Sequence, residues 1–366
     1  MNRRTRTNTN PLTRPLRILV FCFAAFALGS TVGCLPRFAP LPDQAPAMRL
    51  SHLNALPVDD GRARFRQIVC TLADQRRSED GTPPDCQTLI WQLKDEPAPD
   101  RSAPPPPALD PMLRVLIVPG AFAECFPEYG MPFEDAAAIL QGRGSRIDFV
   151  AVSGRSGSDA NAGRIADALE RLPADPAEKI VLIGHSKGAV DILHFLVGFP
   201  EQARRVSAMV SVSGPVNGSP LADALEGVYR GLFSRMPFTD CPPGDRMVID
   251  SLTRSYRTAW LATHHLPAHV RYFSLATFAR REAVHPLMLF SYDHLAAAGE
   301  RNDGYVAIID QLIPGGTLLG YVNLDHWDIA LPVREQLNFG GVGSRADARQ
   351  LLFEALLLAV TEALEV

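Results

Sequence analysis

Gly184-His185-Ser186-Lys187-Gly188 follows directly on an aliphatic run, Lys179-Ile-Val-Leu-Ile183, and opens a stretch with helical periodicity over 186–198. A G-x-S-x-G pentapeptide between a strand and a helix is a nucleophile elbow. The sharp turn presents the serine at a helix N-terminus, where amide groups and the helix dipole favour developing negative charge. Glycines two before and two after leave room for backbones to approach. A serine hydroxyl needs a base, and the base needs an acid to orient it. On a strand–elbow–helix scaffold the order along the chain is serine, acid, histidine.

Nine histidines are available. His52 precedes the core, His185 sits inside the elbow, and His194 lies further along the same helix. His264, His265 and His269 precede a strand at 270–276, and His285 and His294 fall in the next helical stretch. His326, in Asn323-Leu-Asp-His-Trp-Asp328, follows every strand candidate, so chain order selects it. The acid belongs in a late loop. Asp303 in Asn302-Asp303-Gly304 fits a tight turn, whereas Asp310 has a less turn-like context. Asp325 and Asp328 are too near His326 in sequence to reach its ring from behind, and Asp191 reads as a helix residue. Two amides must hold an oxyanion: Lys187, the residue after the nucleophile, and Ala121 in the loop Pro119-Gly120-Ala121-Phe122. Only the Lys187 backbone is needed, and its side chain reads as a solvated rim group.

These residues need a scaffold. From residue 112 onward, β-branched runs alternate with amphipathic helices. Strands are expected at 114–118, 147–152, 179–183, 206–213 and 270–276, with helices at 158–172, 186–198 and 345–365. Strict alternation predicts an α/β fold, a mostly parallel sheet flanked by helices. The segment 219–266 is too long for a simple connection. Its apolar residues, Leu221, Leu225, Val228, Tyr229, Phe233 and Phe238 among them, read as a cap.

Upstream the pattern differs. Residues 1–33 hold five arginines and no acid, then an apolar run from Ile18 to Leu28 and the small residues before Cys34. That is a secretory signal, too short to span a bilayer, which takes about 20 apolar residues. Val32-Gly33-Cys34 resembles a bacterial lipobox, with Thr31 where leucine is usual, so Cys34 is the expected lipidated first residue of the exported protein. Residues 34–59 read as a Pro-rich tether, 60–96 as a small helical hairpin, 97–111 as a Pro-rich linker and 112–366 as the main domain. Of six cysteines, four remain after Cys22 and Cys34. An even number in an exported chain suggests two bridges. Three connectivities exist. Cys70–Cys86 with Cys125–Cys241 is favoured because the first pair shares one short segment; four buried thiols are the alternative.

Composition narrows the class. The 366 residues carry a net charge of −4, and loss of the five signal arginines leaves 31 basic against 40 acidic side chains, or −9. An acidic chain with a pI near 6.1 and no basic stripe is not a nucleic-acid binder.

Taken in order, Val118-Pro119-Gly120-Ala121-Phe122, the elbow, Ser213-Gly-Pro-Val-Asn-Gly-Ser-Pro-Leu-Ala-Asp223, Asn302-Asp303-Gly304 and Asp325-His326 resemble the α/β-hydrolases of the bacterial triacylglycerol lipase and GPI inositol-deacylase-like group. Pro119 stands where that group has histidine, and Asn217 replaces another. The resemblance implies an ester hydrolase working through an acyl-enzyme without an organic cofactor, on an acyl-ester or lipid substrate. It also implies that 219–266 is either a lid that opens over an acyl pocket or a cap packed permanently on the core. Similar lipases bind a structural calcium near the histidine loop. Asp328 fits one ligand position, but Pro332 and Gln336 match the others poorly. An acyltransferase, a thioesterase or an amidase would use the same elbow. A non-catalytic lipid- or partner-binding protein on this fold would not need the complete triad.

Overall fold

Runs such as Leu113–Val118 and Val206–Val212 place apolar residues at nearly every position, a pattern that suits a parallel sheet covered on both faces. In the computed structural model, which describes residues 57–80, 85–231, 241–337 and 342–365, they form part of a seven-stranded sheet. The strands are β1 (Asp59–Asp60), β2 (Leu113–Val118), β3 (Arg146–Phe149), β4 (Lys179–His185), β5 (Val206–Val212), β6 (Arg271–Thr277) and β7 (Thr317–Val322). Their order is β1-β7-β6-β5-β4-β2-β3, and every neighbouring pair is parallel. The signal, Cys34 and nearly all of the tether lie outside the described residues, as do Phe233 and Phe238 of the cap. Among the described residues no helix is long and apolar enough to cross a membrane.

Alternate strand residues feed two cores. Val115, Ile117, Val181 and Ile183 pack with helices Arg62–Asp80, Glu134–Gly142 and Val342–Glu365. Leu116, Val118, Ile180 and Leu182 pack with helices Ser158–Glu170, Lys187–Gly198 and Arg254–Thr263. From β2 the chain runs outward to β3, then returns to the other side of β2 for β4. The winding reverses there, so the loops after β2 and β4 flank the crevice where open α/β sheets bind ligands.

The segment 60–96 is not a separate hairpin. Phe65, Ile68, Val69 and Leu72 belong to the same core as the C-terminal helix. β1 extends the sheet beside β7, and Trp91 N–H donates to the Tyr321 carbonyl at 2.9 Å. The buried Arg66 holds the turn by bonding Glu96 and the carbonyls of Ile90 and Trp91. A 37-residue piece buries too little surface alone, whereas an exposed β7 edge offers it a partner. The Pro-rich stretch is likewise strapped down. Arg64 donates to the Pro104 carbonyl and Arg146 to that of Pro111. A cleft of about 590 Å³ lies beneath the strap, among Leu72, Leu113, Leu140 and Leu357, at the opposite end of β2 from the elbow.

Among the described residues there are two disulfides. Cys70–Cys86 staples the first helix to the short turn Cys86–Leu89, and Cys125–Cys241 ties the loop after β2 to the cap. The cap packs on the sheet end through Ala222, Tyr229, Val248 and Leu252. They meet Val190 of the elbow helix and Ala121 and Phe122 of the β2 loop.

Candidate active site

Ser186 sits between β4 and the helix Lys187–Gly198 with φ 55° and ψ −129°. A non-glycine residue in this conformation is strained, and such strain persists only where its surroundings enforce it. They do so here. A Cβ on Gly184 would stand 2.3 Å from the Ala189 amide nitrogen, and one on Gly188 would stand 2.2 Å from the Val118 carbonyl oxygen. Phe122 in the β2 loop (φ 61°) and Ser213 just past β5 (φ 52°) are strained too. All three lie at the C-terminal edge of the sheet.

Asp303 and His326 meet at this edge. His326 Nδ1 lies 2.8 Å from Asp303 Oδ2, and the His326 amide donates to the Asp303 carbonyl at 2.9 Å. Both side chains are buried. A carboxylate facing Nδ1 places that nitrogen's proton toward itself and leaves Nε2 with a lone pair, the tautomer a base requires. Asp325 shapes the loop: its carboxylate accepts the amides of His285, Trp327 and Asp328. β7 and the segment behind it deliver this loop, since His326 follows the strand by four residues.

The elbow contacts the loop through His185. Its Nε2–H donates to the His326 carbonyl at 2.9 Å, and the two rings lie 5.0 Å apart. Among the described residues Ser186 Oγ makes no hydrogen bond. Such bonds are often long before substrate arrives. Gly120 lets the β2 loop close on the serine, because a Cβ there would stand 2.9 Å from the Ser186 Cβ. The neighbouring amides of Ala121 and Lys187 donate no hydrogen bond among the described residues, so both remain available to an oxyanion.

Burial, and secondarily the nearby His326, pushes the His185 imidazole from 6.5 down to about 3. The folded protein therefore holds it neutral while the unfolded chain protonates it near 6.5. Its contribution to stability is complete above pH 6.5 and is lost as pH falls toward 3. Between pH 6.5 and 4 this group alone should remove about 3 kcal/mol from the unfolding free energy. Urea unfolding of the wild type and His185→Gln at the two pH values checks this; equal pH dependence in both would refute it.

Two side chains depart from expectation. Lys187 is not a rim residue: it is 1% exposed, and its Nζ lies 2.5 Å from Asp191 Oδ1. Asp191 Oδ2 accepts from Asn161 Nδ2 at 2.7 Å, so this aspartate is no plain helix residue either. The i, i+4 spacing placed the pair on one face, and the facing helix Ser158–Glu170 covers it. His194 continues that face, between Asp159 at 2.7 Å and Arg257 at 2.6 Å. The Asp328 carboxylate pairs with Arg345, and among the described residues no three His, Cys, Asp or Glu gather to hold a metal. Asp310 pairs with Arg254 of the cap rather than with a histidine. Asn217, where the lipase-like stretch has histidine, donates to the Asp310 and Leu312 carbonyls and so ties that stretch to the acid loop.

No protein-family model and no curated protein matches the chain. Among solved structures it is similar to a metagenomic carboxyl esterase, MGS0156, at 37% identity, covering 88% of this chain and 97% of that one with a TM-score of 0.77. The mature Bacillus licheniformis lipase BlEst2 matches at 20% identity over 61% of this chain and 89% of that one, TM-score 0.49. Lipase 1 from Pelosinus fermentans matches at 13% identity over 69% and 99%, TM-score 0.48.

Proposed function

Because the chain belongs to the α/β-hydrolase superfamily, alongside the carboxyl esterase with which it shares 37% identity, we propose that it is a serine carboxylic-ester hydrolase with Ser186 as nucleophile. The observation that carries this reading is the buried Asp303–His326 pair, set with its Nδ1–H toward the acid at the same sheet edge as the strained Ser186. His326 Nε2 takes the Ser186 proton as Oγ attacks the acyl carbon. The tetrahedral oxyanion rests on the amides of Ala121 and Lys187. Collapse breaks the ester C–O bond, and His326 hands its proton to the departing alcohol. Water, deprotonated by the same nitrogen, then attacks the acyl-enzyme and frees the acid. Asp303 orients the imidazole and stabilises its cation throughout.

A fluorophosphonate probe should label the purified protein once, and peptide mapping should find the adduct on Ser186. An adduct elsewhere, or none, would overturn the assignment.

Within the superfamily, the ordered stretches at 118–122, 213–223 and 323–328 favour the triacylglycerol lipase and inositol-deacylase-like group, with 219–266 as the cap that selects the acyl chain. The first 34 residues favour export and anchoring by acyl chains on Cys34 to a bacterial envelope membrane. Labelling cells with a palmitate analogue should mark the wild type and not Cys34→Ser; equal labelling of both would sink the anchor.

A further inference from the structure

The Asp303 carboxylate has about four acceptor positions, and four donors occupy them. Oδ1 accepts the amides of Tyr305 at 3.0 Å and Val306 at 2.8 Å. Oδ2 accepts His326 Nδ1 at 2.8 Å and the Thr277 hydroxyl at 2.8 Å. Thr277 is the last residue of β6 and is fully buried. Its Oγ1 lies 2.6 Å from Ser213 Oγ, on the strained residue just past β5. A hydroxyl has one proton. If Thr277 gives its proton to Asp303, its oxygen must accept from Ser213, which sets the direction of the chain: Ser213 to Thr277 to Asp303. Gln311 Oε1 is a rival acceptor for that proton at 3.4 Å, but the carboxylate is closer. Gln311 instead grips the Thr277 backbone, accepting from its amide at 2.7 Å and donating to its carbonyl at 2.9 Å.

The geometry points to Thr277 and Ser213 as positioning residues that fix the rotation of the Asp303 carboxylate and thereby aim His326. The proposal rests on the reading that Asp303 orients His326. The need for such a device follows from the chain path. Asp303 lies 26 residues beyond Thr277, past an insertion that includes the helix Leu289–Ala297, so no strand end holds it directly. Torsion about the final bond of an aspartate is broad. The two loop amides secure Oδ1, and among the described residues Thr277 is what ties Oδ2 to the sheet.

The test compares steady-state hydrolysis of p-nitrophenyl butyrate by Thr277→Val, Thr277→Ser, Ser213→Ala and Asp303→Asn with the wild type. Thr277→Val keeps the shape and loses the hydroxyl. Its kcat should fall about tenfold with KM unchanged, as the loss of one hydrogen bond to a charged group implies. Thr277→Ser should restore kcat to within about threefold, and Ser213→Ala should lower it about threefold. Asp303→Asn should lose on the order of 10⁴. Full kcat in Thr277→Val beside a crippled Asp303→Asn would overturn the relay alone. Full kcat in Asp303→Asn would instead overturn the triad on which it stands. If Thr277→Val does not fold, Ser213→Ala decides: unchanged kcat there would overturn the relay.

Discussion

Ser186→Ala should lower kcat/KM for a short p-nitrophenyl ester by about 10⁵-fold or more while leaving the melting temperature within a few degrees of the wild type. The large kinetic effect follows because, in the proposed mechanism, the Ser186 oxygen is the atom that forms the acyl-enzyme. The small thermal effect follows because alanine keeps the Cβ. The backbone at φ 55° is as strained with alanine as with serine, and among the described residues Oγ has no hydrogen-bond partner to strand. His326→Ala should cost a similar factor, and the double variant little more than either single one, since a nucleophile without its base and a base without its nucleophile are equally idle. What survives should be the slow background assisted by the two backbone amides. Rates of the purified variants at neutral pH, with thermal melts, check this. A Ser186→Ala protein holding a tenth of wild-type turnover would place the nucleophile elsewhere.

The elbow was legible because its signals are local. A buried strand, two glycines and a helix start occur within twenty residues, and each is required by the same turn. His326 was reachable through chain order, which needs only a list of strands. The strand that delivers it was missed, because β7 has Gly320 at its centre and glycine weakens a strand pattern. The glycine has a long-range reason: a Cβ there would stand 3.3 Å from the ring of Phe65, which packs on β7 from a helix some 250 residues earlier. The same contact explains why 60–96 looked like a separate unit. Its helical periodicity was visible, but the surface it covers was not. Thr277 escaped for a similar reason. Nothing around a threonine at a strand end announces that an aspartate will return to it from beyond an inserted helix. Polar residues in apolar runs are ambiguous from sequence, since the partners that make their burial tolerable lie on other elements.

Lys187 shows what that ambiguity conceals, and its removal carries the largest expected loss of stability. Lys187→Met should destabilise the fold by about 3 kcal/mol, because it leaves the Asp191 carboxylate, 1% exposed, with Asn161 as its remaining hydrogen-bond donor. The buried Arg257 is near enough to feel Asp191, which tempers the loss. Asp191→Leu should cost a similar amount by stranding the ammonium group instead. Lys187→Met with Asp191→Leu removes both charges together and should recover most of the stability, since replacing a buried ion pair by apolar groups of similar volume is often neutral. The residual cost is the one Asn161 N–H that loses its acceptor; the other still reaches the Ser153 carbonyl at 3.0 Å. Urea unfolding of the four proteins gives the coupling directly. Additive losses in the double variant would mean that the two charges do not stabilise each other. The same double variant separates backbone from side chain at position 187. If only the amide serves the oxyanion, it should hydrolyse esters within about tenfold of the wild type, against the 10²–10³ expected for a lost oxyanion donor.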